Sequence, residues 1–221
     1  VTDQPFAMIA LLAVLSLLPF VLVMLTSFVK IAVVLSIVRN ALGATNIPPT
    51  TVVTGLAFVL TIFVMAPVGS KVFAGVEPLV TEDASRSPAQ TARALIKAGD
   101  EARAPIREFL ARHAHARDRA MFADLARRMR APEDRASIRD DDLLVLAPAF
   151  VTSELKEAFA IGFLLFLPFL IIDMVVANIL LSLGMHMLSP TTVSLPFKLL
   201  LFVMVDGWYL LTRGLVLGYA A

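Results

Sequence analysis

The sequence predicts an all-α, membrane-associated fold in which two long apolar helical hairpins flank a charged helical insert. Three observations predict it. The chain of 221 residues is 58 % hydrophobic with a mean hydropathy of +0.83, whereas an ordinary soluble domain is nearer one-half apolar. No charged residue occurs from Gln4 to Val29 or from Ala41 to Ser70, and each run exceeds the roughly 20 residues that cross a bilayer core. Charge is concentrated instead between Lys71 and Asp142, which hold 14 basic and 13 acidic residues. The resulting organisation is an N-terminal apolar hairpin over 1–70, a water-exposed insert over 71–142 and a C-terminal apolar hairpin over 143–221.

The N-terminal run follows Asp3 rather than a basic segment, and its apolar core is longer than the roughly 7–15 residues of a signal peptide, so it is expected to be a retained helix. Asn46-Ile47-Pro48-Pro49 must end a helix, because proline lacks the N–H and restricts the residue before it. Gly43 suits a helix C-cap. Pro5–Leu42 is therefore expected as one helix and Thr50 to about Ser70 as the return.

In the insert, Ser87-Pro88-Ala89-Gln90 combines an N-cap, a first-turn proline and a capping-box glutamine. Ile106, Phe109 and Leu110 recur at helical spacing, as do Phe122, Leu125 and Met129. Glu108 with Arg112 and Asp124 with Arg128 are favourable i, i+4 pairs.

The second hairpin is expected from about Ser153 to Leu188, turning at Ser189-Pro190-Thr191 and returning from Ser194. Its first limb would measure about 54 Å, against a hydrocarbon core of about 30 Å. Either it tilts and kinks at Pro168, or much of it lies outside the bilayer, buried against protein. Lys30 and Arg39 between the first two segments and Lys198 near the last turn put both hairpin tips in the cytoplasm, and the insert with both termini outside.

Several function classes are disfavoured. A net charge of +1, with bases and acids nearly balanced, argues against a nucleic-acid partner. The absence of cysteine removes disulfides and thiolate chemistry. His113 and His115 fall on different faces of a helix, and no zinc-protease, P-loop or nucleophile-elbow pattern is present, so neither a metal, a cofactor nor a catalytic residue is expected.

Three groups of residues remain as candidates. Asp173 and Asp206 stand within apolar stretches, where a carboxylate faces a partner helix, a water path or a counter-charge. Gly207, Gly214 and Gly218 fall near one helical face and suit close helix packing. Gly184-Met185-His186-Met187-Leu188 occupies the second hairpin tip, where the methionines are either ordinary apolar residues or an adaptable closure around varied cargo.

The first hairpin carries Thr26-Ser27-Phe28-Val29-Lys30, Val38-Arg39-Asn40-Ala41-Leu42-Gly43 and Pro48-Pro49. The second carries Pro148-Ala149-Phe150, Ser153-Glu154-Leu155-Lys156, Pro168 through Ala177, Leu195-Pro196-Phe197-Lys198 and Asp206-Gly207-Trp208. These runs resemble the R subunit of the bacterial type III secretion export gate, whose flagellar counterpart is FliP. The resemblance covers both hairpins and not the insert.

It implies a non-enzymatic subunit, five copies of which form a ring with S and T subunits, in contact with the U subunit and inner rod. That assembly is an entrance channel for unfolded substrate proteins, sited at the inner membrane and rising into the periplasm. It also implies a methionine gasket at Met185, His186 and Met187, with histidine where the family commonly has a third methionine. Lys30, Arg39, Asp173, Lys198 and Asp206 would then serve inter-helix pairing. The lack of an evident leader favours the virulence branch over the flagellar one.

Two other readings remain. A small ion or proton-coupled transporter would use Asp173 and Asp206 but would show matched repeats, and a membrane hydrolase would need a partner for His186.

Overall fold

The computed structural model describes residues 16, 20, 23–43, 47–81 and 88–220, and the described residues form helices without strands. Helix α1 spans Phe28–Leu42, α2 Thr50–Thr81, α3 Pro88–His113, α4 Ala116–Arg128, α5 Leu143–Ser182, α6 Pro190–Met204 and α7 Gly207–Leu217, with a short 3-10 helix over Pro132–Ser137. Most of the first predicted limb and the Ser87 cap lie outside the described residues. Two compact units divide the chain, one of Val1–Ser27 with Met65–Glu154 and one of Phe28–Val64 with Leu155–Ala221.

The second unit has an apolar core in which Ile31, Val34, Leu35 and Val38 of α1 pack with Val53, Ala57, Phe169, Phe202 and Leu215. On α1 these positions repeat at three- and four-residue intervals, so one stripe of the helix is buried. Gly162 of α5 lies so close to Ile37 that an added Cβ would overlap that side chain. The glycine sets how closely the helices approach.

The first unit is stabilised differently. Phe109 and Leu110 are buried, and Phe109 packs on Phe150 with ring centroids 5.6 Å apart. On α4 the buried apolar position is Ala123, flanked by Phe122 and Ala126, while Leu125 and Met129 are exposed. The helix expected from the spacing of Phe122, Leu125 and Met129 forms, with Met129 at its C-cap. Both i, i+4 pairs form, Glu108–Arg112 at 3.2 Å and Asp124–Arg128 at 2.8 Å.

Several helix ends differ from those the sequence predicts. The single helix expected over Pro5–Leu42 is interrupted at Leu25–Ser27, where the Thr26 hydroxyl donates to the Val23 carbonyl at 2.8 Å and competes with helix continuation. Helix α2 runs past Ser70 to Thr81, because the change from apolar to charged sequence alters the surroundings without breaking the backbone. Helix α5 starts at Leu143, ten residues early, and continues through Pro168. Its 40 residues measure about 60 Å. The return limb begins at Pro190 and breaks at Val205–Asp206, with a 60° bend between α6 and α7.

Thr50–Gly75 and Leu143–Ser182 are long and apolar enough to cross a membrane, and the bent α6–α7 pair would make a third span.

Candidate functional site

The second unit contains two buried lysines, and each has a carboxylate. Lys198 of α6 is 2 % exposed. Its ammonium donates to Asp173 Oδ2 on α5 at 2.7 Å and to the Ala41 carbonyl at 3.2 Å. Ala41 lies in the last turn of α1, where carbonyls lack helical partners and the dipole favours a cation. Lys198 therefore satisfies the end of α1 and neutralises Asp173 together. The Ser194 hydroxyl, one turn before Lys198 on α6, donates to Asp173 Oδ1.

Lys30 is the corresponding group near the start of α1. It is 3 % exposed and donates to Glu157 Oε2 of α5 at 2.7 Å. Its ammonium also sits 4.2 Å from the Tyr219 ring centroid, a cation–π geometry that offsets part of the desolvation. Two charged ties thus bracket α1. Such pairs contribute little net stability but penalise any packing that separates them.

Arg39 and Asp206 are arranged otherwise. Arg39 is half-buried and its guanidinium donates to the Thr50 hydroxyl, closing the turn between α1 and α2. Asp206 is exposed at the N-cap of α7 and makes no side-chain capping bond. It has a left-handed backbone, φ 52°, ψ 53°. Among the described residues neither group has an ion pair.

The glycines also separate. Gly207 is buried, and an added Cβ would overlap the Phe202 ring, which in turn meets the Trp208 indole edge-on at 5.2 Å. A Cβ at Gly214 would meet nothing within 4 Å, and at Gly218 only α7 carbonyls at 3.5 Å.

The α5–α6 loop is built to project its residues. Gly184 takes φ 74°, its N–H bonds to the Leu181 carbonyl at 3.0 Å, and the Met185 N–H bonds to the Leu180 carbonyl at 2.9 Å. This is a Schellman stop, which ends a helix through a left-handed glycine. Met185, His186 and Met187 follow directly, all exposed, Met187 at 99 %. Below the loop an apolar groove of about 440 Å³ is lined by Ile171, Val175, Ile179, Leu180, Val193 and Phe197.

Sequence reasoning missed Glu157, Ser194 and Tyr219. The buried stripe of α5, Glu154, Ala158, Gly162 and Phe169, sets the helix phase. It places Glu157 at the stripe's edge, and that phase was the available signal. Among the described residues no group of three His, Cys, Asp or Glu could hold a metal ion.

The site's surroundings are matched in known proteins. Residues 11–215 match the family described as the FliP family. The chain is 48 % identical to Yop proteins translocation protein R of Yersinia pestis over 212 residues, covering 96 % of this chain and 95 % of that protein. It is 45 % identical to hypersensitivity response secretion protein HrcR of Ralstonia nicotianae, covering 97 % of each. It is likewise 45 % identical to flagellar biosynthetic protein FliP of Bacillus subtilis, covering 95 % of this chain and 89 % of that one.

Proposed function

The chain belongs to the FliP family, and from that premise we propose that it is a structural, non-enzymatic subunit of a type III export gate. In this reading it assembles with further copies of itself and with S and T subunits, beside a U subunit and inner rod, into the inner-membrane entrance channel for unfolded substrate proteins. The assembly rises into the periplasm, where residues 71–142 form a water-exposed insert. The similarity to Yop proteins translocation protein R along nearly the whole chain carries the reading.

The long α5 supports it physically. At about twice the thickness of a hydrocarbon core, a helix with Phe159, Phe163, Leu164 and Ile171 exposed needs cover beyond lipid, which neighbouring subunits supply. Met185, His186 and Met187 form the constriction, projected by the Gly184 stop. Histidine at the centre makes that ring more polar than methionine alone. It lines the pore edge or packs sideways on a neighbour. His186→Met then leaves secretion intact without raising leakage, and a leaky closed channel in that variant contradicts the placement.

Deleting the coding sequence in its host should abolish release of secreted substrates, with complementation restoring it; undiminished secretion would refute the function.

The broken helix at Asp206 favours a second reading, a proton-coupled transporter. Asp206→Asn discriminates the two: assembled but export-dead complexes, with loss of gradient-driven transport, would support the transporter.

A further inference from the structure

We infer that Asp206 of one copy pairs with Arg39 of the next copy, making the contact between subunits a charge-matched, head-to-tail joint. The inference rests on the self-assembly proposed above and specifies which surfaces meet.

The observation is a remainder. Within the second unit, Lys30 and Lys198 are consumed inside the chain by Glu157 and Asp173. Arg39 keeps only a hydroxyl, and Asp206 makes no ion pair among the described residues. Asp206 flanks strongly apolar surface, with Val203, Met204, Val205 and Trp208 exposed around it. An unmatched acid and base on a surface that must be covered by protein or lipid are each costly, and each is the other's natural complement.

A second feature concerns the backbone. Asp206 holds φ 52°, where a glycine would rest more easily. Gly207 follows immediately, so the break does not lack small residues. A carboxylate kept in a strained position points to a use for the side chain.

Arg213 is the other cation near Asp206, seven residues along the same helix and stacked at 5.8 Å from the Tyr209 ring centroid. Pairing Asp206 with Arg213 of a second copy would set two α7 helices antiparallel. Such a contact is self-complementary and stops at two copies. Arg39 lies on a different helix, so its pairing with Asp206 allows a joint between two different surfaces that continues from copy to copy until a ring closes.

The test uses full-length copies carrying one cysteine each. A copy with Asp206→Cys is co-expressed with a differently tagged copy carrying Arg39→Cys or Arg213→Cys, and membranes are treated with a short bismaleimide. The Asp206–Arg39 combination should crosslink at least tenfold more than the Asp206–Arg213 or Asp206–Asp206 combinations. Asp206→Gly, which relieves the backbone, should leave the melting of the isolated subunit unchanged or raised while the multi-copy species falls at least tenfold. The exchange Arg39→Asp with Asp206→Arg should recover that species where each single change loses it. A ring that forms with no Asp206–Arg39 crosslink, or crosslinking to Arg213 instead, overturns the pair and leaves the export-gate reading standing. A chain that stays monomeric overturns both.

Discussion

Replacing Asp173 by alanine removes the carboxylate 2.7 Å from the Lys198 ammonium. That lysine side chain is 3 % exposed and would retain only the Ala41 carbonyl at 3.2 Å. Stranding a buried charge in this way costs about 3–5 kcal/mol. The opposite change, Lys198→Met, is milder because the Asp173 side chain is 23 % exposed and keeps the Ser194 hydroxyl. It also frees the last turn of α1, for a total of about 1–3 kcal/mol. The double variant strands neither charge, so it should cost no more than Asp173→Ala alone. The resulting coupling is at least the cost of Lys198→Met alone, about 1–3 kcal/mol. Unfolding of the purified subunit in micelles, followed by helical circular dichroism for all four proteins, measures it. Strictly additive losses, or a larger loss for Lys198→Met than for Asp173→Ala, would refute the reasoning.

Other consequences concern the packing and the first unit. Gly162→Ala forces its Cβ into Ile37 and should destabilise the second unit by about 1–3 kcal/mol; Ile37→Ala in the same chain should recover part of the loss in the same unfolding assay. Ser153→Ala should cost about 1–3 kcal/mol. The Ser153 hydroxyl links the His115 N–H at 2.9 Å to buried Asp118 at 2.8 Å, relaying the N-cap bond that an acidic third residue normally makes directly. Proteolysis of the insert, compared before and after the change, reports it. Finally, the hydrogen bond and charge of Lys71, at 3.0 Å, hold the Glu108 carboxyl below its ordinary range, with Arg112 adding to the effect. A depressed acid keeps its contact above the ordinary glutamate pKa and loses it as pH falls through the lowered value. Lys71→Ala should therefore move the carboxyl titration of Glu108 upward by carbon NMR, and an unmoved titration would contradict the contact.

The sequence made the apolar limbs and their turns legible because composition and proline act locally. Gly43 at φ 76° and the turn at Pro48-Pro49 needed no tertiary information. Helix ends were less legible. Lys71 marks a change of surroundings, yet α2 continues to Thr81, since no backbone rule stops a helix at a charge. The break at Thr26-Ser27 depends on a hydroxyl choosing a nearby carbonyl, which the residue types permit but do not require.

For the candidate site, the charged residues stood out by their cost in apolar sequence. Their partners did not, because the meeting of Glu157 with Lys30 depends on the rotation of α5 against α1. On α4, the spacing of Phe122, Leu125 and Met129 gave the helix but not its buried apolar position, Ala123, because packing is decided by what the neighbouring helix presents.

The central claim is that this chain builds a multi-copy ring that engages S and T subunits. Native mass spectrometry of the detergent-extracted protein, expressed alone and then with S and T partners, tests it most directly. The account predicts a five-copy species that takes up those partners. A persistent monomer or dimer that ignores them would contradict it.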